Sequence, residues 1–303
     1  MAWIPAGWRP AHPRRCSMLR TFLIASSLAV VALAAAFADE KPAPPTGGDA
    51  ASMARAHQHD SPVPTEMGQV PPASEVPGGE VAYGTLAGQR VHGYLARPAA
   101  SGGPWPGLIL IHEWWGLNDN IRGAARRLGA QGYMVLAVDL YGGRQTTLPD
   151  EAQKLMQAVD PTAARENLRQ AYAYLATQQK SPRVGIMGWC FGGGWALQGA
   201  LEMPDKLAAL VMYYGRVETD PAKLKPLQMP ILGIFGAADQ AIPVADVHNF
   251  EAALKTAGKN ATIKIYDGVG HAFANPSGTN YKKEPAEDAW KRTLEFLGKN
   301  LKK

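Results

Sequence analysis

From about residue 77 onward the chain alternates short apolar runs with longer stretches of helical periodicity. Residues 81–86 and 90–97 alternate apolar and polar positions, which predicts two antiparallel strands joined around Ala87-Gly88-Gln89. Residues 107–111, 133–138, 184–187, 207–213 and 230–235 are nearly unbroken apolar runs, the pattern of strands buried on both faces of a sheet. A last strand is predicted over 262–266, and helices over 120–131, 149–159, 162–179, 194–202 and 244–257. The final helix carries Trp290, Leu294, Leu297 and Leu301 at helical spacing, a face turned to the core. Strands alternating with helices predict one α/β domain over 77–303, a doubly wound, mostly parallel sheet with helices on both faces. No internal repeat interrupts the pattern.

One stretch carries a stronger local signal. In residues 183–198, RVGIMGWCFGGGWALQ, an apolar strand turns through Gly188-Trp189-Cys190-Phe191-Gly192-Gly193 into a helix. G-x-C-x-G-G is the cysteine form of the nucleophile elbow G-x-S-x-G. A side chain that stands clear of a sheet must sit on a very tight turn, so the residues two before and two after it crowd each other. Gly188 and Gly192 fill those positions. The helix that follows points its free N–H groups and the positive end of its dipole at the sulfur. A glycine-rich turn around an inert buried cysteine would share the local pattern, so the assignment rests on what the other strand ends carry.

Composition alters the picture mainly at the N-terminus. The formal net charge is +5, but Arg9, Arg14, Arg15 and Arg20 lie in the first 38 residues, which contain no acid. The remainder is close to neutral and has no basic stripe of the kind that nucleic acid requires. After Arg20 an apolar run covers residues 22–36 and closes on Ala36-Phe37-Ala38 before Asp39. This predicts a cleaved signal peptide, residues 1–38, and a periplasmic or secreted protein. The run falls short of the roughly 20 apolar residues that span a bilayer. Met18 is an alternative start. Of the two cysteines, Cys16 lies in the leader, so the mature protein keeps Cys190 as an odd thiol, which marks it as reactive. Residues 39–76, rich in Pro, Ala, Gly and Ser, read as a flexible linker. Within it, His57-Gln58-His59-Asp60 has metal-ligating residue types but no further ligands nearby, and reads as a solvated polar run.

Four polar groups follow predicted strands: Glu113, Cys190, Asp239 and His271. Function gathers at the carboxyl ends of strands in such sheets, and nucleophile, acid, histidine is the chain order of the α/β-hydrolases. His271 can act as general base and then acid, while Asp239 can hold its tautomer and stabilise the imidazolium. Asp246 and Asp267 are nearby acids that do not follow the expected acid-bearing strand.

His112-Glu113-Trp114-Trp115-Gly116, the elbow, Gly236-Ala237-Ala238-Asp239-Gln240-Ala241-Ile242-Pro243 and His271-Ala272-Phe273 together resemble the dienelactone hydrolase family, of α/β-hydrolase fold. The resemblance covers essentially the whole domain. It implies a Cys190–His271–Asp239 triad, with Glu113 as an additional carboxylate that takes the thiol proton when substrate docks. It also implies an oxyanion hole from the backbone N–H groups of Phe191 and Trp114. His112 reads as structural support for its loop, and Trp115, Tyr213, Tyr214, Phe273 and Asn275 are expected around the substrate. The chain departs from the family at both arginines that hold the carboxylate of dienelactone. The helix over 149–158 has none, and Asn275 stands where the other is expected, four residues after the histidine. Arg144 and Arg216 are available substitutes.

The expectation is an exported, monomeric hydrolase of small carboxylic esters or lactones that works through an acyl-cysteine. No feature argues for a cofactor, a metal, a nucleic-acid partner, or a membrane after signal cleavage. A catalytically silent envelope-binding protein of the same fold is the main alternative, which the co-occurrence of Cys, His, Asp and Glu argues against. An envelope protein held by an uncleaved leader is another, which an N-terminus at Asp39 would exclude.

Overall fold

The computed structural model of the chain describes residues 50–60 and 76–302, so the expected signal peptide lies outside the described residues. The two alternating segments pair as a hairpin of β1 (Gly78–Leu86) and β2 (Gln89–Ala96). The apolar runs become β3 (Gly107–Ile111), β4 (Met134–Val138), β5 (Val184–Trp189), β6 (Ala209–Tyr213) and β7 (Ile231–Gly236), with β8 (Ala261–Tyr266) last. They form one eight-stranded sheet in the order β1-β2-β4-β3-β5-β6-β7-β8. The β1–β2 and β2–β4 pairs are antiparallel and the rest parallel.

Every residue of β3 to β7 is buried, which is why these strands read as apolar runs and not as alternations. Successive side chains still leave on opposite faces. Ile109, Ile111, Leu136, Ile186 and Leu210 enter one core, while Leu108, Leu110, Val135, Met187 and Val211 enter the other. Each such side chain contributes about 1.5–3 kcal/mol when buried, so both faces demand helices. These are α2 (Asp119–Ala130), α3 (Pro149–Gln157), α4 (Pro161–Ala173, prolonged by a π-helical turn Tyr174–Gln178), α5 (Phe191–Glu202), α6 (Pro221–Leu224), α7 (Val244–Thr256) and α8 (Lys283–Leu301). Local chemistry sets their starts. Asn118 caps α2 by accepting from the Ile121 N–H, and Asp160 caps α4 by accepting from the Ala163 N–H, with Pro161 in the first turn. This is the doubly wound α/β-hydrolase architecture. No helix among the described residues is long and apolar enough to cross a membrane.

Two features differ from the sequence expectation. The helix expected from residue 194 begins at Phe191, directly behind Cys190. The second difference is a correction: residues 50–60, expected to be part of a flexible linker, form α1 (Ala50–Ala56) and a turn that is packed into the domain. Ala, Met and Arg are strong helix formers, and the packing of the turn completes what propensity begins.

The crossover from β3 through α2 leads to β4 on one side, and the next connection returns past β3 to β5 on the other. The winding therefore reverses between β3 and β5, and in open α/β sheets a crevice opens at such a point, at the carboxyl ends of the strands. Glu113 follows β3, Cys190 follows β5, Asp239 follows β7 and His271 follows β8.

Candidate active site

Cys190 has φ 54° and ψ −119°, a backbone conformation that side chains rarely adopt. Such residues cost of order 1–3 kcal/mol and persist only where the surroundings over-determine them. Here β5 fixes one side and α5 the other, with the Cys190 N–H donating to the Tyr213 carbonyl at 3.0 Å. A Cβ on Gly188 would lie 2.2 Å from the Gly192 oxygen, and one on Gly192 would lie 2.4 Å from the Ile111 oxygen. Only hydrogen fits at either position, so the two glycines are what allow the elbow to close.

His271 Nδ1 lies 2.8 Å from Asp239 Oδ2, and Asp239 Oδ1 accepts from the N–H groups of Ala241 and Ile242, both at 2.8 Å. The carboxylate fixes the proton on Nδ1 and leaves Nε2 free for chemistry. That Nε2 is buried and makes no hydrogen bond. Burial alone would push the Cys190 thiol up. The facing His271, then His57, outweigh it and bring the thiol down to about 6. Burial likewise acts to lower His271, but Asp239 and Cys190 raise it well above the ordinary imidazole value. The pair therefore favours thiolate and imidazolium.

Glu113 is buried and its Oε2 accepts from Asn275 Nδ2 at 2.9 Å, while Oε1 has no hydrogen-bond partner. Burial, then the neighbouring Cys190, push its carboxyl up to about 8. Asn275, at the position of a family arginine, thus holds this acid. Arg122, on the helix after this loop, pairs with Glu80 and Asp119 and not with Glu113. His112 Nε2 accepts from the Leu140 N–H at 3.1 Å and its Nδ1 bonds the Glu113 carbonyl, so both nitrogens are engaged in holding the loop. Trp114 follows Glu113 on that loop, and Phe191 opens α5.

Beside these groups lies a cavity of about 380 Å³ lined by Glu113, Arg127, Trp189, Tyr213, Tyr214 and Asn275, among others. Of the expected pocket residues, Trp115 and Phe273 do not line it. They are fully buried, Trp115 edge-on to His57 and Phe273 against Tyr214 and Tyr266. Arg144 and Arg216 do not line it either. Arg127, which sequence reasoning missed, does, with its guanidinium 4.4 Å from the centre of the Trp290 ring.

The largest departure is at the thiol itself. His57 Nε2 lies 3.4 Å from Cys190 Sγ, and Met53 Sδ lies 3.5 Å from it. The imidazole is fully buried, tilted against Trp114 at 4.6 Å between ring centres, and its Nδ1 lies 2.7 Å from Asp60 Oδ2. Asp60 Oδ1 accepts from the Thr279 N–H and hydroxyl, both at 3.0 Å. Burial acts to lower His57, but Cys190 and Asp60 outweigh it and raise the imidazole. The expected solvated run His57-Gln58-His59-Asp60 is therefore corrected: His57 and Asp60 are buried site residues. The available signal was the spacing Met53-x-x-x-His57-x-x-Asp60, which sets all three one helical turn apart.

Residues 91–301 match the dienelactone hydrolase family. The chain is 32% identical, in an alignment 249 residues long that covers 69% of this chain, to a Saccharolobus solfataricus protein named "Putative carboxymethylenebutenolidase", of which 94% is covered. It is 34% identical over 220 residues to a protein of the same name from Methylorubrum extorquens, covering 67% of this chain and 75% of that one. The solved structure titled "Putative Dienelactone Hydrolase from Klebsiella pneumoniae" superposes with a TM-score of 0.67 at 29% identity, covering 74% of this chain and 98% of that one.

Proposed function

The chain belongs to the dienelactone hydrolase family and is a hydrolase, and from that premise we propose that it cleaves small carboxylic esters or lactones through an acyl-cysteine on Cys190. The observation that carries this reading is the strained elbow of Cys190 together with the 2.8 Å His271–Asp239 pair. The thiolate attacks the carbonyl carbon, and the backbone N–H groups of Phe191 and Trp114 receive the oxyanion, donors worth about 3–4 kcal/mol each. His271 gives its proton to the leaving alkoxide and then takes one from the water that releases the acid. The thiol proton is the one held by His271, while Glu113, protonated below about 8, keeps a neutral carboxyl beside the ionised sulfur. The aromatic cavity with Arg127 at its wall favours a small, partly apolar acyl group, and a carboxylate on the substrate would meet that guanidinium. Export by a signal peptide ending at Ala38 and action as a monomer complete the proposal, and N-terminal sequencing of the exported protein tests the first.

The test is turnover by reduced protein of p-nitrophenyl acetate, dienelactone and simple lactones across pH. Because the thiol is depressed to about 6, thiolate is present above that value and is lost as pH falls through it. We expect kcat/KM to fall about tenfold per unit below pH 6. A limb near 8.5, the value of a free thiol, or no turnover of any ester, would sink the acyl-cysteine reading.

A carbonyl carbon must come within about 3–3.5 Å of the sulfur to react, where His57 and Met53 now stand. Residues 53–60 must therefore withdraw during turnover. If the closed form holds about nine-tenths of molecules, the double change Met53→Ala with His57→Ala raises kcat/KM about tenfold. It also moves the acid limb upward, since His57 is one cause of the thiol's depression. An unchanged or lower rate would show that the segment does not cover the thiol in solution.

A further inference from the structure

We propose that the docked segment and the catalytic thiol together form a site for a soft metal ion, cuprous copper above all, ligated by Cys190 Sγ, His57 Nε2, His271 Nε2 and Met53 Sδ.

The donors already converge. His57 Nε2 and Met53 Sδ lie 3.4 and 3.5 Å from Cys190 Sγ. Sγ and one ring nitrogen from each histidine lie within 4.8 Å of one another, and all three residues are buried. Ligands held at 2.0–2.3 Å from one ion stand roughly 3.3–3.8 Å apart. Both spacings from Sγ to the docked segment are therefore already right, and those of His271 Nε2 to Sγ and to the His57 ring nitrogen are no more than 4.8 Å.

The surroundings are those of ligands. Each histidine gives its Nδ1 to a carboxylate, His57 to Asp60 at 2.7 Å and His271 to Asp239 at 2.8 Å. Each carboxylate is held in turn, Asp60 by Thr279 and Asp239 by two backbone N–H groups. Metal-bound histidines are oriented in this way, through the nitrogen that does not face the ion. His271 Nε2, buried and without a hydrogen bond, faces the same point.

Sγ, two imidazole nitrogens and a thioether are thus gathered in one buried place. Met53 is the most telling of the four. A thioether does nothing in acid–base or acyl chemistry, yet it lies one helical turn before His57 so that both reach the sulfur. Thiolate and thioether select copper(I), and imidazole accepts it. No carboxylate oxygen is placed as a direct ligand, which leaves hard ions such as magnesium without donors. On binding, the protons held between Sγ and the two Nε2 atoms leave to solvent and the metal–sulfur and metal–nitrogen bonds take their place, with no change in oxidation state. The loaded site holds residues 53–60 on the thiol, so metal and ester substrate exclude each other.

The test is anaerobic titration of the full, reduced, metal-free chain with copper(I) against a chromogenic chelator, with zinc(II) as a parallel arm. We expect one copper per chain. Cys190→Ser and His57→Ala, which remove direct ligands, should each weaken it by more than the roughly 10- to 100-fold that loss of a ligand's supporting partner costs. Met53→Leu, which conserves volume and so the fold, should weaken copper while leaving zinc unchanged. Melting curves of every variant establish that it is folded. Failure to hold one copper would overturn the proposal. Equal affinity in wild type and Cys190→Ser would mean an adventitious ion only, and zinc binding tighter than copper would overturn the assignment to copper. None of these readouts uses turnover, so the hydrolase reading stands or falls separately.

Discussion

Cys190→Ala lowers kcat/KM for p-nitrophenyl acetate by at least about 10⁴-fold, to the level that binding and oxyanion donors alone sustain. The size of the loss follows from the lack of a substitute nucleophile near the sulfur among the described residues. The hydroxyls of Tyr141 and Tyr214 both feel the Cys190 charge, but burial raises each well above its ordinary value, so both stay phenols at any working pH. Water attacking directly would lack the ionised sulfur and the covalent intermediate that splits one hard step into two easier ones. The fold should tolerate the change, because alanine at φ 54° meets no more strain than cysteine does, and a melting curve checks this. Cys190→Ser separates geometry from ionisation. The hydroxyl occupies the same elbow but is not an ionised nucleophile at neutral pH, so it should recover little of the loss. Retention of more than a tenth of the wild-type rate in Cys190→Ala would show that the elbow is not the catalyst, and would favour a binding role for the site.

Much of this site was legible in the sequence, for a physical reason. Strands buried on both faces read as apolar runs whatever their neighbours, so β3 through β7, and Glu113, Cys190 and Asp239 beyond three of them, could be placed from local pattern alone. Gly188 and Gly192 announce a close approach that nothing else tolerates. The start of α5 was less legible, because Gly192, Gly193 and Gly194 are poor helix formers; that turn is helical because β6 and the loop after β3 press on its glycines, leaving 2.5 Å from a Cβ on Gly193 to the Tyr213 oxygen. Residues 50–60 were illegible for the opposite reason. Their apolar content is low, and their order comes from partners more than 130 residues away, Asp60 with Thr279 and Met53 with Cys190. Local propensity carries no record of such contacts. Arg127 was missed because it lies on α2 with helical spacing suited to a solvated face, and only the tertiary arrangement brings it to the cavity.

His271→Ala lowers kcat about 10⁴-fold, even though a second imidazole backed by a carboxylate faces the same sulfur. The two histidines differ in what carries them. His271 follows β8 and bonds Asp239, whose other oxygen is fixed by two backbone N–H groups, so it stays in place when a substrate enters. His57 arrives on α1 together with Met53, and with that segment docked, Sδ and the imidazole fill the space that the acyl carbon needs. It can thus lower the thiol's pKa in the closed form but cannot serve as base in the open one. Two measurements separate these roles. Thiol alkylation against pH should show the limb of His271→Ala raised from about 6, and raised further when His57→Ala is added, because burial pushes the thiol up and each imidazole draws it down. Turnover in His271→Ala with His57→Ala should be no lower than in His271→Ala alone, because removal of His57 takes away a cover and not a base. If the double variant is slower than the single one, His57 is a working base and residues 53–60 remain docked while substrate reacts.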